Sequence, residues 1–188
     1  MYRTIFQIGA TWEIIPGLVF APTAYYTGSE GIENYFEAMN ETTGKNVRAA
    51  SAKHNYDGHI QADAVLSYDK QIRKHGINAV AGGSYTHDTS YRLSGSGSGS
   101  DIDLIPTLNA TADSTQRASS TRTNEAILSW FGRVGYNYDE KYMVAVSLRA
   151  DGSSRFSEGH KWGFFPGVSA GWNMHKEPFF GPASKAIN

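Results

Sequence analysis

The 188-residue chain carries 17 Lys and Arg against 18 Asp and Glu, a formal net charge of -1, so it offers no strongly basic surface to a nucleic acid. It has no Cys, which excludes disulfides, Cys-ligated metal sites and thiol nucleophiles, and its 11 Tyr and 20 Gly suit strands better than helices. No apolar stretch is long enough for a transmembrane helix and the start lacks the apolar core of a signal peptide, but alternating barrel strands are not excluded.

Apolar residues at every second position predict four strands in the first half of the chain, because alternate side chains of a strand point to one face. The four apolar sets are Ile8, Ala10, Trp12 and Ile14; Leu18, Phe20, Ala24 and Tyr26; Ile60, Ala62, Ala64, Leu66 and Tyr68; and Ile77, Ala79, Ala81, Gly83 and Tyr85. Pro22 lacks the N–H that a strand ladder uses, so we expect it at a bulge or near a sheet edge.

Three further strands with stronger alternation are predicted in the second half. Their apolar sets are Leu128, Trp130, Gly132, Val134, Tyr136 and Tyr138; Tyr142, Val144, Val146, Leu148 and Ala150; and Phe164, Pro166, Val168, Ala170 and Trp172. A three-residue turn at Asp139–Lys141 would place Tyr138 opposite Tyr142 and Val134 opposite Val146. The apolar sets of the two strands would then meet on one side of the hairpin.

The predicted connections alternate between short and long. Tight turns are expected after Ile14, within Asp69–His75 and at Asp139–Lys141. Long loops are expected over Thr27–Gly58, His87–Asn124 and Gly152–Gly163, and the alternating Ser and Gly of Ser94–Ser100 predict a flexible surface segment. Short turns on one side and long loops on the other are typical of outer-membrane β-barrels.

Aromatic residues lie at the ends of the apolar faces of several predicted strands. They are Trp12, Tyr26, Tyr68, Tyr85, Trp130, Tyr136, Tyr138, Tyr142 and Trp172. Aromatic residues in such positions indicate the girdles that barrels place at the two membrane interfaces. A soluble meander that packs its apolar face into a core would show the same alternation, but the loop asymmetry and the aromatic positions together favour the barrel.

Three segments near the end of the chain carry a specific resemblance: Ser129–Tyr138 (SWFGRVGYNY), Leu148–Phe156 (LRADGSSRF) and Lys161–Trp172 (KWGFFPGVSAGW). This block resembles the SusC/RagA-type TonB-dependent outer-membrane transporters of Bacteroidota, whose barrel carries such strands in this order. The match extends over about Ser129–Phe179, and weaker similarity reaches back towards the start.

The resemblance implies an all-β fold, an antiparallel up-and-down transmembrane β-barrel segment of about seven strands from a 22-stranded barrel. Residues 1–188 would be a partial TonB-dependent receptor barrel, without the plug domain and signal peptide that complete members carry. The implied location is the outer membrane, crossed several times, and the implied role is uptake of oligosaccharides or peptides. The implied partners are a SusD-like surface lipoprotein, outer-membrane lipid, and the TonB complex, reached through the missing N-terminal region.

Three charged residues share the polar face of the hairpin formed by the fifth and sixth predicted strands. Arg133, Arg149 and Asp151 would be costly against lipid but hydrated in a wet lumen or against the plug, so they are our lumen-facing candidates. Phe131 is expected opposite Arg149, close enough for a cation–π contact.

Metal, cofactor and catalytic sites are not predicted. His54, Asp57 and His59 lack the spacing of the ligands in zinc enzymes. We predict that His54 and Asp57 are solvated loop residues and that His59 begins a strand. The acidic residues Asp101, Asp103 and Asp113 do not form a 12-residue calcium loop.

The serines after Asp151 lack the strand–turn–helix elbow of a serine nucleophile.

Two other classes of function stay as alternatives. A soluble or surface-attached β-domain that binds glycans through exposed aromatic residues would remain soluble without detergent. An enzyme is disfavoured because no His, carboxylate and Ser stand in a supporting context.

Overall fold

A computed structural model describes residues 1–39 and 48–180, which form strands joined by turns and short 3₁₀ segments. The strands are β1 (Tyr2–Gly9), β2 (Trp12–Ile15), β3 (Leu18–Glu37), β4 (Ala49–Ile72), β5 (His75–Ser98), β6 (Arg117–Tyr138), β7 (Tyr142–Ser153) and β8 (Trp162–Trp172). The 3₁₀ segments are Leu108–Ala110, Asp113–Thr115, Met174–Lys176 and Pro178–Phe180. No helix in the described part of the chain is long and apolar enough to cross a membrane.

The eight strands form a single sheet in the order β1-β3-β4-β5-β6-β7-β8, and β2 pairs with β3 beside β1. From β2 to β8, neighbours along the chain are neighbours in the sheet, so the predicted antiparallel up-and-down fold is confirmed. There is one strand more than the seven predicted, because the first predicted run covers the end of β1 and most of β2.

Pro22 accounts for the interruption between β1 and β2. The N–H of Ala10 donates to the carbonyl of Pro22 at 3.1 Å, and Trp12 pairs with Phe20 further along the same ladder. Pro22 has no N–H with which to return the bond to Ala10, so the pairing is incomplete there and the edge strand breaks at Ala10 and Thr11. The expected position of Pro22 near a sheet edge is confirmed.

Two compact units divide the chain by their internal contacts. One comprises Met1–Phe6, Tyr26–Ile60 and His87–Glu125, and contains the C-terminal parts of β3 and β5, the N-terminal parts of β4 and β6, and the connection that follows β5. The other comprises Gln7–Tyr25, Gln61–Thr86 and Ala126–Asn188, and contains the short turns and the hairpin of β6 and β7.

The β6–β7 hairpin has the predicted register. Its turn is Asp139–Lys141, and Tyr138 pairs with Tyr142 while Val134 pairs with Val146. Asp139 and Glu140 adopt left-handed φ angles of 53° and 52°, which the tight reversal requires. The apolar sets of the two strands therefore meet on one face.

The predicted long loop over Thr27–Gly58 is wrong in most of its length. β3 continues to Glu37 and β4 begins at Ala49, so strand replaces the expected loop on both sides of residues 40–47, which lie outside the described residues. Cross-strand pairs between polar side chains stabilise these extensions, including Tyr26 with Tyr56, whose hydroxyls lie 3.3 Å apart. Because these extensions pair through polar side chains, their sequence shows no apolar alternation from which strands could be predicted.

The predicted loop over His87–Asn124 is also too long, and Ser94–Ser100 is not the flexible segment expected. β5 runs to Ser98 and β6 begins at Arg117, so the connection is shorter by about half. Leu108 packs over Gly95 and Thr111 packs over Gly97. A Cβ added at Gly95 would lie 2.8 Å from Cδ1 of Leu108, and one added at Gly97 would clash with the Thr111 side chain. Close packing against Thr111 therefore accounts for Gly97, which lies in a strand rather than in a loop.

Candidate functional site

The two faces of the β6–β7–β8 sheet differ sharply in chemistry. On one face Val146 pairs with Val134 on one side and Val168 on the other, and Leu148 pairs with Gly132 and Pro166. These side chains are not packed into a core: Val146 is 55% exposed, Leu148 52% and Val168 77%. An exposed apolar face of this extent is typical of a surface that another apolar phase or molecule covers.

The opposite face carries the three predicted candidates. Arg149 donates from Nε to both carboxylate oxygens of Asp151 at 2.8 Å, and its Nη2 donates to the hydroxyl of Ser129 at 3.2 Å. Ser129 is buried and pairs across the ladder with Asp151. The structure therefore brings Arg149 and Asp151 together in one ion pair.

Arg133, the third candidate, lies apart from that ion pair. It pairs across the ladder with Ser147 and is exposed, and none of the described hydrogen bonds or ion pairs involves its guanidinium. Phe131 pairs with Arg149 as expected, and Phe165 flanks Arg149 from β8. The cation–π contact itself stays a prediction.

A hydrogen-bonded cluster around Asp63, which the sequence did not single out, is formed by residues of β3, β4 and β5. The carboxylate of Asp63 accepts hydrogen bonds from Ser84 Oγ at 2.5 Å, Gln61 Nε2 at 2.8 Å and Thr23 Oγ1 at 3.3 Å. Three neutral donors stabilise a carboxylate without a cation. The sequence signal is the position of Asp63 beside Gln61 among the polar members of its strand, since Thr23 and Ser84 become neighbours only through the register.

The short-turn end of the sheet carries a rim of aromatic and charged residues. Tyr142 and Trp172 stack with ring centroids 6.5 Å apart, and both donate to one oxygen of Glu177, at 2.5 Å and 3.3 Å. The Tyr142 hydroxyl is the main cause that lowers the pKa of Glu177. The ring bodies thus lie beside the apolar face while their polar tips reach charged groups.

The same rim ties the two short turns together. Lys74 Nζ donates to Asp139 Oδ2 at 3.1 Å, and this hydrogen bond raises the pKa of Lys74. The N–H of Asp139 also bonds to the carbonyl of Lys74. Lys176 pairs with Glu140, which links the segment after β8 to the same turn.

The histidine and aspartate groups weighed as metal ligands are separated by the fold. His54 Nε2 lies 2.7 Å from Glu30, His59 Nδ1 lies 2.6 Å from Asp88, and Asp57 pairs with Arg92. The prediction that His54 and Asp57 lie in a loop is wrong, since both are in β4. Within residues 1–39 and 48–180, no three His, Cys, Asp or Glu side chains gather in a group able to hold a metal ion.

The acidic residues that were weighed as calcium ligands have separate surroundings. Asp103 accepts from Arg48 Nε at 2.9 Å and from the N–H of Met39 at 3.2 Å, and the Arg48 hydrogen bond lowers the pKa of Asp103. Asp113 opens a 3₁₀ segment, and Asp101 is exposed in the connection after β5.

The serines after Asp151 have structural hydrogen bonds. Ser154 Oγ accepts from the N–H of Ala126 at 2.8 Å, and Ser153 Oγ accepts from the N–H of Arg155 at 3.3 Å. Both bonds fix the end of the hairpin where β7 leaves the ladder.

Comparison with curated proteins finds relatives among TonB-dependent receptors. The chain is 30% identical over 177 residues to TonB-dependent receptor P39 of Formosa agariphila, a match that covers 89% of this chain and 16% of that protein. It is 40% identical over 57 residues to TonB-dependent receptor SusC of Bacteroides thetaiotaomicron, covering 30% of this chain and 6% of SusC. No family model matches the chain.

Among solved structures, the RagAB peptide transporter matches with a TM-score of 0.83 at 20% sequence identity, over 94% of this chain and 20% of that one. The chain spans about a sixth of the length of TonB-dependent receptor P39, the first of these curated relatives. It has the sequence signature and the sheet of a barrel segment of SusC/RagA-type TonB-dependent receptors, which confirms the resemblance that the motifs indicated.

Proposed function

We propose that this chain forms part of the wall of a TonB-dependent outer-membrane importer, with its apolar face against lipid and its polar face towards the lumen. One observation carries the proposal. Val134, Val146 and Val168 lie side by side and exposed on one face of β6, β7 and β8, while Arg133 and Arg149 lie on the other. A transmembrane barrel wall needs this division, because lipid accepts apolar groups and a wet lumen accepts charge.

We assign Arg133, Arg149 and Asp151 to the lumen because charged side chains that face lipid would be energetically unfavourable. An Arg or Lys that faces hydrocarbon at the bilayer midplane costs about 2–4 kcal/mol. The Arg149–Asp151 pair and the Asp63 cluster lie on the face away from the exposed valines, where water or another polypeptide can solvate them.

The aromatic rim supports a membrane–water interface at the short-turn end of the sheet. Tyr142 and Trp172 combine apolar ring bodies with polar tips bonded to Glu177, and residues of this kind are favoured at the boundary between hydrocarbon and water. Barrels of this type have short turns on the periplasmic side, so we assign Asp139–Lys141 to the periplasm and the long connections to the cell exterior.

The relatives support a proposal for the transported solute and for the partners. We propose uptake of oligosaccharides or peptides; RagAB, which shares the fold, is a peptide transporter. We further propose that the TonB complex supplies energy, as the names of the curated relatives indicate, and that a SusD-like surface lipoprotein contacts the external loops.

Uptake by cells that carry the full-length receptor tests this proposal. Labelled oligosaccharide and peptide mixtures are supplied to cells with the receptor, without it, and with it but without TonB. We expect uptake of one class to fall to the same low level in both deletion strains and to return on re-expression. Equal uptake of both classes in all strains would contradict the proposal.

A further inference from the structure

Arg133 is a cation on the polar face of β6, and residues 1–39 and 48–180 provide no counter-charge for it. Arg149, on the same face of the hairpin, has its guanidinium engaged by Asp151 and Ser129. Arg133 has no such partner in the part of the chain that the structure describes, although its cross-strand neighbour is a small polar residue, Ser147. Unlike that of Arg149, the guanidinium of Arg133 is therefore available to a group from elsewhere.

The wall around Arg133 leaves room for that partner. Two open depressions, of about 340 and 330 Å³, share Arg133, Ala145 and Ser169 in their lining. One extends past Asn78 and the other over Gly167, so the neighbouring side chains are small or uncharged. No acidic side chain lines either depression.

A second polar atom in this region lacks a partner. The side-chain oxygen of Asn137, which lines the same depression as Arg133 and Asn78, is buried without a hydrogen bond in the described residues. A buried acceptor left without a donor is unfavourable, and it indicates that this part of the wall is completed by groups outside the structure.

From these observations, and resting on the proposed function, we propose that Arg133 binds a carboxylate of Asp or Glu from a part of the receptor outside these 188 residues. A guanidinium presents paired N–H donors that match a carboxylate. The first curated relative is matched over only 16% of its length, so a receptor of that size has ample polypeptide to supply it. A carboxylate on the receptor's own polypeptide is already held near the wall, so pairing with Arg133 costs less translational freedom than binding a free solute does.

The test uses the full-length receptor purified in detergent. Arg133→Gln, Arg133→Glu and Arg133→Lys are compared with Arg122→Gln, a control at an exposed position of the same strand. We expect Arg133→Gln to lower the thermal unfolding midpoint by a few degrees without added solute and Arg133→Glu to lower it further, while the control stays near wild type. Arg133→Lys should lie between wild type and Arg133→Gln, because lysine keeps the charge but not the paired donors. We also expect suppressors of Arg133→Glu that replace an acidic residue outside residues 1–188 with Lys or Arg.

Two results would overturn the inference. Midpoints of Arg133→Gln and Arg133→Glu equal to that of the control would remove the need for a polypeptide carboxylate. Stabilisation by millimolar glutarate in wild type alone, with equal midpoints in its absence, would assign the carboxylate to a free solute. Either result would leave the lumen assignment intact, because lysine substitutions at Val146 and Ser147 test that assignment independently.

Discussion

Val146→Lys should reduce assembly of the full-length receptor far more than Ser147→Lys. Val146 is 55% exposed between Val134 and Val168 on the apolar face, so a lysine there must enter hydrocarbon at about 2–4 kcal/mol at the bilayer midplane. The side chain at 147 points the opposite way, where a lysine can remain hydrated. It would lie across from Arg133, and such like-charge pairs cost at most about 1 kcal/mol.

The two substitutions are a matched pair, since the positions are adjacent in β7 and the introduced residue is the same. The measurement is the fraction of folded receptor in outer membranes, read by heat-modifiable migration, together with unfolding in urea. Equal losses at the two positions, or a larger loss at 147, would reverse the assignment of the faces.

Gly82→Ala should destabilise the receptor, whereas Gly132→Ala should be tolerated. A Cβ at Gly82 would lie 2.6 Å from Cζ of Phe131 and 2.8 Å from the carbonyl oxygen of Ala64, and the second atom belongs to the backbone of the neighbouring strand. At Gly132 the nearest atom is the carbonyl oxygen of Val80 at 3.8 Å, an ordinary contact. Overpacking of this kind costs about 1–3 kcal/mol.

Unfolding in urea measures the difference, because both substitutions add one methyl group to adjacent strands. Adding Phe131→Ala to Gly82→Ala should recover only part of the stability, since the clash with the Ala64 carbonyl remains. Full recovery would mean that the ring alone sets the limit, and equal stability of the two single variants would contradict the packing described here.

Side-chain alternation predicted the part of the fold in which one face is uniformly apolar. The register of β6 and β7 follows from it, because a slip by one residue would turn Val134 and Val146 to the polar face. The same reasoning failed at Thr27–Glu37, where β3 continues with polar residues on both faces. Strands stabilised by polar pairs such as His54 with Glu30 leave no period in the sequence.

The polar sites were predicted only where their members are close in sequence. Arg149 and Asp151 are two residues apart on one strand, so their shared face is visible from alternation alone. Thr23, Asp63 and Ser84 come from three strands, and only the register brings them within hydrogen-bond distance. The Ser-Gly segment was misjudged for the same reason, since the residues that pack on it lie later in the chain.

Thiol labelling of single cysteines along β7 tests the two-faced wall most directly, and this segment contains no Cys of its own. Cysteines are placed one at a time at residues 144, 145, 146 and 147 of a full-length receptor freed of other cysteines, in membranes. A charged, membrane-impermeant maleimide should label residues 145 and 147 through the lumen and leave 144 and 146 unlabelled in the lipid. Labelling of 144 and 146 with protection of 145 and 147, or labelling without alternation, would contradict the barrel wall proposed here.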